Sequence, residues 1–66
     1  MEVRYDKDVD AMYIYAEKGE YDVSEEIGDG VVIDLSKDGK VIGIEILDAS
    51  ERFSPMVLKN MIIHNS

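Results

Sequence analysis

The sequence has 66 residues and a formal net charge of −8, from 15 acidic and 7 basic side chains. A chain this short buries only about 60% of its unfolded surface, so we expect a single domain over residues 1–66. The acidic excess disfavours nucleic acids and anionic membranes, which bind surfaces rich in Lys and Arg. The absence of cysteine and of a basic segment before an apolar run predicts a cytoplasmic protein without a signal peptide.

Alternating apolar and polar residues predict short strands within residues 1–47. The expected strands are 1–6, 11–16, 21–27, 31–35 and 41–47. Because the connections between them are short, we expect a four- to five-stranded antiparallel β-meander. The apolar side of the last strand is predicted to consist of Ile42, Ile44 and Ile46.

The spacing of apolar residues changes to a helical period near the end of the chain. Asp48, as N-cap, predicts a helical turn over 48–53. Ser54 as N-cap, with Pro55 at the first helical position, predicts a helix over about 55–63. This single C-terminal α-helix should pack on one face of the sheet, so the predicted fold class is α+β.

The apolar stripe of the last helix is wider than one small sheet needs to cover. We therefore expect Met56 and Ile63 to extend beyond the core. Small domains often complete a thin core by association, so a homodimer through this apolar helix is a further expectation.

The polar strand positions collect acidic side chains on the face opposite the helix. Two interpretations remain open: a charge that only keeps a small protein soluble, or a binding surface for a small basic protein. Tyr13 and Tyr15 favour the second, because tyrosine is enriched at interfaces. The predicted partner-binding face is Glu2, Asp6, Tyr13, Tyr15, Glu17, Asp22, Glu26, Asp34 and Glu45.

Three aspartates in the first turn predict an alternative function, weak divalent-cation binding. Asp6, Asp8 and Asp10, together with Glu17, match positions one, three, five and twelve of an EF-hand loop. Ala11 stands where that loop needs glycine and the following residues are predicted to form a strand, which argues against an EF-hand. A looser calcium site remains as one reading, and a solvated turn with local Asp–backbone hydrogen bonds as the other.

No residue pattern indicates catalysis. Gly28-Asp29-Gly30 lacks the third glycine, the lysine and the helix of a phosphate loop, and is better read as a turn. The single histidine, His64, has no partner at metal-site or triad spacing. We therefore predict a non-enzymatic protein with no cofactor, except Ca²⁺ under the alternative reading.

Several segments together resemble the small prokaryotic family called domain of unknown function 2283. The similar segments are Tyr5-Asp6, Asp10–Ile14, Glu26–Val31, Asp34, Asp38-Gly39 and the run GIEILDAS over 43–50. The resemblance spans roughly residues 3–53 and implies a small α+β protein, with no catalytic residues to carry over. It also implies two roles: weak calcium binding through an acidic cluster, and antitoxin-like pairing with a small basic toxin-type protein.

Overall fold

The computed structural model describes residues 2–61, which form five strands and two short helices. The elements are β1 (Glu2–Asp6), β2 (Ala11–Tyr15), β3 (Val23–Gly28), β4 (Val31–Leu35), β5 (Val41–Leu47), α1 (Ala49–Arg52) and α2 (Pro55–Met61). Each lies near its predicted position, although β3 begins at Val23 rather than at residue 21, and the α+β class is confirmed. The predicted end of the last helix, at residue 63, lies outside the described residues.

The strand order is β1-β2-β5-β4-β3, and every neighbouring pair is antiparallel. Antiparallel pairing is confirmed, but the predicted meander is wrong, because β5 lies between β2 and β4. The β2–β3 connection follows the ends of β5 and β4: the N–H groups of Ala16 and Asp22 donate to the carbonyls of Ile42 and Leu35, at 2.9 and 2.7 Å. Three strand spacings amount to roughly 14 Å, which residues 16–22 can easily span.

The helices cover one half of the apolar face of the sheet. Tyr5 pairs with Met12, and Met12 pairs with Ile46, so the three side chains form a row across β1, β2 and β5. Met12 is fully buried and forms the core together with Tyr5, Ala49 of α1 and Leu58 of α2. Every residue of β3 is exposed and every residue of β4 is half-buried. The core therefore lies beneath the helices at one end of the sheet.

The start of α2 follows the sequence prediction, because the Ser54 hydroxyl accepts a hydrogen bond from the Val57 N–H at 3.2 Å. Leu58 is buried, whereas Met56 is 73% exposed. The homodimer contact through Met56 stays a prediction, and Ile63 lies outside the described residues. Within residues 2–61, neither helix has the length and apolar character needed to cross a bilayer.

Alternation predicts Ile42 on the same face as Ile44 and Ile46, but Ile42 does not lie there. A bulge in the β4–β5 pairing leaves Ile42 without a partner in β4. An extra residue in one strand changes the phase of side-chain alternation, which a regular period cannot anticipate. Ile42 is nevertheless buried, and it lines a cleft together with Tyr13 and Tyr15 on the opposite face.

Candidate functional site

The face of the sheet opposite the helices carries two rows of aligned side chains. One row runs Arg4, Tyr13, Glu45, Val32, Glu26, and the other Glu2, Tyr15, Gly43, Asp34, Ser24. We call these ten positions, together with Asp6 at the end of β1, the acidic face. Among them are five carboxylates and one arginine, so the predicted collection of acidic residues on one face is found in the strands.

Two predicted members of the face, Glu17 and Asp22, lie in the β2–β3 connection rather than on a strand. Glu17 is exposed and lines the same cleft as Tyr15, so the structure brings it to the border of the acidic face. Asp22 is exposed beside the end of β4, where its N–H pairs with the Leu35 carbonyl. Neither residue follows the predicted strand alternation, because the chain leaves the sheet after Tyr15 and re-enters it at Val23.

Tyr13 lies across β5 and reaches Asp34 on β4. Its hydroxyl donates to one carboxylate oxygen of Asp34, and the Ser24 hydroxyl donates to the other at 2.5 Å. Gly43 makes this possible, because a Cβ atom at that position would lie 2.6 Å from the Tyr13 Cζ atom. Burial, and then the bond to Asp34, raise the pKa of Tyr13 far above its ordinary value. Asp34 therefore ties β2, β3 and β4 together.

Tyr15 forms the more accessible aromatic surface of the acidic face. The residue is 41% exposed, and the centroid of its ring lies 4.4 Å from that of Tyr13 in an edge-to-face arrangement. The guanidinium of Arg4 lies over the Tyr15 ring, 5.6 Å from the centroid, and pairs with Glu2 at 2.8 Å. That hydrogen bond to Glu2 raises the pKa of Arg4. The only cation among the strand positions of the face is thus already paired.

The aspartates of the first turn point to different partners. Asp6 accepts a hydrogen bond from the Asp8 N–H at 2.9 Å, which is the local turn contact that the sequence offered as the second reading. Asp10 has a left-handed backbone with φ of 56°, and its carboxylate is bonded to Tyr5 and Ser50. Within residues 2–61, no group of three or more His, Cys, Asp or Glu side chains could hold a metal ion. The structure therefore does not support the predicted cation site.

Asp10 instead caps helix α1 from a distant part of the chain. One of its oxygens accepts from the Tyr5 hydroxyl at 2.7 Å and the Ser50 N–H at 3.0 Å, and the other accepts from the Ser50 hydroxyl at 2.7 Å. Asp48 occupies the predicted N-cap position, but its φ is 54° and its side chain makes no cap bond. The bonds from Tyr5 and then Ser50 lower the pKa of Asp10, while the bond to Asp10 raises that of Tyr5.

Arg52 is a structural residue that the sequence analysis missed. Its Nε donates to the Leu47 carbonyl at 3.1 Å, and its Nη2 donates to the carbonyl of Asp29 in the β3–β4 turn. Gly30 leaves space for this contact: a Cβ atom there would lie 3.0 Å from Nη2. The Gly28-Asp29-Gly30 segment is therefore a turn that receives an arginine. Nothing in the spacing of the sequence links residues so far apart.

The same residues lie within the region of similarity to known proteins. The family model described as "Protein of unknown function (DUF2283)" matches residues 2–50, which include all five strands, Asp10, Asp34 and Ser50. A curated protein of Methanosarcina mazei, named "Putative hypoxanthine phosphoribosyltransferase", is 38% identical to the chain over 50 residues. The alignment covers 76% of this chain, which spans only 40% of that relative. No solved structure matches the chain significantly.

Proposed function

The chain belongs to the DUF2283 family of proteins of unknown function, and on that premise we propose that it is a non-enzymatic interaction module whose acidic face binds a small basic protein. The observation that carries the proposal is the alignment of the two rows, which place Glu2, Glu26 and Glu45 on one surface. The helices lie on the other face, so the acidic face is open to a partner.

The charge distribution favours binding over a purely solubilising role. Like charges gathered on one face repel one another and reduce stability, whereas interspersed charges of both signs keep a protein soluble without that cost. A basic partner would relieve the repulsion and would be steered to the face by the net charge of −8. Tyr15 adds exposed aromatic area of the kind that protein interfaces use.

The two carboxylates that accept the most hydrogen bonds within the fold have a structural rather than a catalytic role. Asp10 and Asp34 each accept hydrogen bonds on both oxygens from within the fold. A general base needs a lone pair aimed at a substrate proton, and these oxygens are aimed at Tyr and Ser hydroxyls of the chain itself. The name of the Methanosarcina mazei relative describes a protein of which this chain covers 40%, so we do not extend that activity to it.

The antitoxin-like role implied by the family resemblance would be one instance of the proposed function. A toxin-type protein that is small and basic has the charge that this face complements. On this reading the chain neutralises its partner by covering a basic surface and performs no chemistry.

Binding of an arginine-rich peptide to charge variants tests the proposal. Glu26→Gln combined with Glu45→Gln removes two charges from the acidic face. Glu25→Gln combined with Glu51→Gln removes two charges elsewhere, because Glu25 pairs with Ile33 on the opposite face and Glu51 is in α1. We expect roughly fivefold or more weakening for the first pair only, measured by calorimetry. Equal weakening by both pairs would show a response to net charge and contradict a binding face.

A further inference from the structure

A cleft at the border of the acidic face combines aromatic, apolar and charged side chains. It encloses about 410 Å³ between the end of β2 and the β2–β3 connection. The residues that matter to its chemistry are Tyr13, Tyr15, Glu17, Lys18, Tyr21 and Ile42. Ile42 is 6% exposed and forms an apolar base, while Tyr15 and Tyr21 are 41% and 60% exposed. Such exposed rings offer aromatic surface that the fold itself does not cover.

Arg4 shows that one of these rings accepts a guanidinium. Its Cζ atom lies 5.6 Å from the centroid of Tyr15, within the range of a cation–π contact. Arg4 lines a neighbouring cleft, and Tyr15 lines both clefts. The cleft lined by Tyr21 therefore also has tyrosine rings in its walls, but no arginine is among its lining residues.

The charges around the cleft favour a cation. Glu17 lines it directly, while Asp34 accepts the bond from the Tyr13 hydroxyl and Glu45 is the strand partner of Tyr13. Lys18 opposes a cation, but its side chain is exposed and can turn towards solvent. Arginine fits this combination better than lysine, because its planar guanidinium can stack on a ring and bind a carboxylate at the same time.

We propose that the cleft lined by Tyr15, Tyr21 and Glu17 receives an arginine side chain of the basic partner. The aromatic rings contact the guanidinium plane, Ile42 packs against the aliphatic stem, and Glu17 pairs with the charge. The inference rests on the proposed function, because it names the side chain by which the partner is recognised. It differs from general attraction to the acidic face in requiring one site with aromatic walls.

An NMR titration of the full chain with N-acetyl-arginine N-methylamide tests the site directly. We expect saturable amide shifts confined to residues 15–21 and 42–43. The citrulline analogue has nearly the same shape without the charge, and we expect its affinity to be lower by a factor of about five or more. Equal shifts with citrulline, or arginine shifts spread over the whole sheet, would overturn the proposal.

Three variants separate this site from the acidic face as a whole. Tyr21→Leu should weaken arginine binding about fivefold, and Lys18→Gln should strengthen it about twofold by removing a like charge. Met56→Leu, at an exposed position on α2, is the matched control and should change nothing. If the affinity for the arginine-rich peptide still depends on Glu26 and Glu45 while Tyr21→Leu has no effect, the arginine site is refuted and the proposed role of the acidic face stands. If the affinity did not depend on these two glutamates, the proposed binding role of the acidic face would be refuted instead.

Discussion

Asp10 and Ser50 are 40 positions apart in the sequence and are joined by two hydrogen bonds, from the Ser50 N–H and from the Ser50 hydroxyl. The Ala49 N–H also donates to the Asp10 carbonyl at 3.0 Å. The turn between the first two strands therefore holds the start of α1 and supplies the helix with its N-terminal acceptor. Asp10, one of the three aspartates that the sequence offered as a cation site, thus joins the helix layer to the sheet.

Replacing Asp10 should destabilise the fold. In Asp10→Ala the Ser50 N–H and the Tyr5 hydroxyl, which is part-buried, lose their acceptor, and unsatisfied groups of this kind lower the free energy of unfolding. Asp8→Ala in the same turn is the matched control, because Asp8 is exposed and contributes its backbone N–H rather than its side chain. Urea denaturation followed by circular dichroism measures both. Equal loss in the two variants would contradict the capping role of Asp10.

Stability should fall in acid in a way that depends on Asp10. The pKa of Asp10 is held below its ordinary value of 3.8 in the folded chain, so the unfolded chain binds the proton more readily. The contribution is therefore complete at neutral pH and is lost as the pH falls below about 5 towards the folded-state pKa. Melting temperatures between neutral and acidic pH should decline less for Asp10→Asn than for the unchanged chain. A parallel decline would assign the acid response to other carboxylates.

Gly43→Ala should disturb the sheet through Tyr13. The added Cβ overlaps the Tyr13 ring, so the tyrosine must move and its bond to Asp34 is weakened. Overpacking of this kind costs about 1–3 kcal/mol of unfolding free energy. Gly28→Ala is the control, since a Cβ there meets nothing within 4 Å. In a Tyr13→Ala background the cost of Gly43→Ala should largely disappear, and a cost that persists would show that Tyr13 is not its cause.

Calcium should not bind selectively to the first turn. Asp10 faces Tyr5 and Ser50 and Asp6 accepts a local backbone bond, so the carboxylates of Asp6, Asp8 and Asp10 do not converge. An amide titration with Ca²⁺ should therefore give small shifts spread over the acidic surface, as expected of ionic screening. Saturable shifts confined to residues 6–17 would contradict this prediction and restore the cation-binding function.

Local patterns predicted the elements of this fold well, because alternation and capping are short-range properties. The Ser54-Pro55 start of α2 needs only neighbouring residues, and it is found as expected. The polar side of each strand also followed from its own period. The position of β5 between β2 and β4 could not be predicted. The connection from residue 16 to residue 22 is long enough either for a hairpin or for a path across two strand ends.

The errors at the site arise from contacts between distant residues. Asp48 occupies the N-cap position as its local pattern predicts, yet the side-chain bond to the helix start comes from Asp10, because the β1–β2 turn lies beside α1 in space. The bulge that moves Ile42 to the tyrosine face depends on pairing between β4 and β5, which no single-strand pattern contains. Glycine at position 43 would have been the best available signal of Tyr13 crossing the sheet, because glycine inside a strand marks a close approach.

The most direct test of the acidic face is the footprint of an arginine-rich peptide on the amide spectrum of the full chain. The proposed function predicts that the largest shifts fall on the two rows, around Arg4, Tyr15, Glu26 and Glu45, and that they shrink steeply as salt is added. Shifts centred on the exposed helix residues Met56 and Val57, and insensitive to salt, would show that the partner binds the opposite face and would contradict the account.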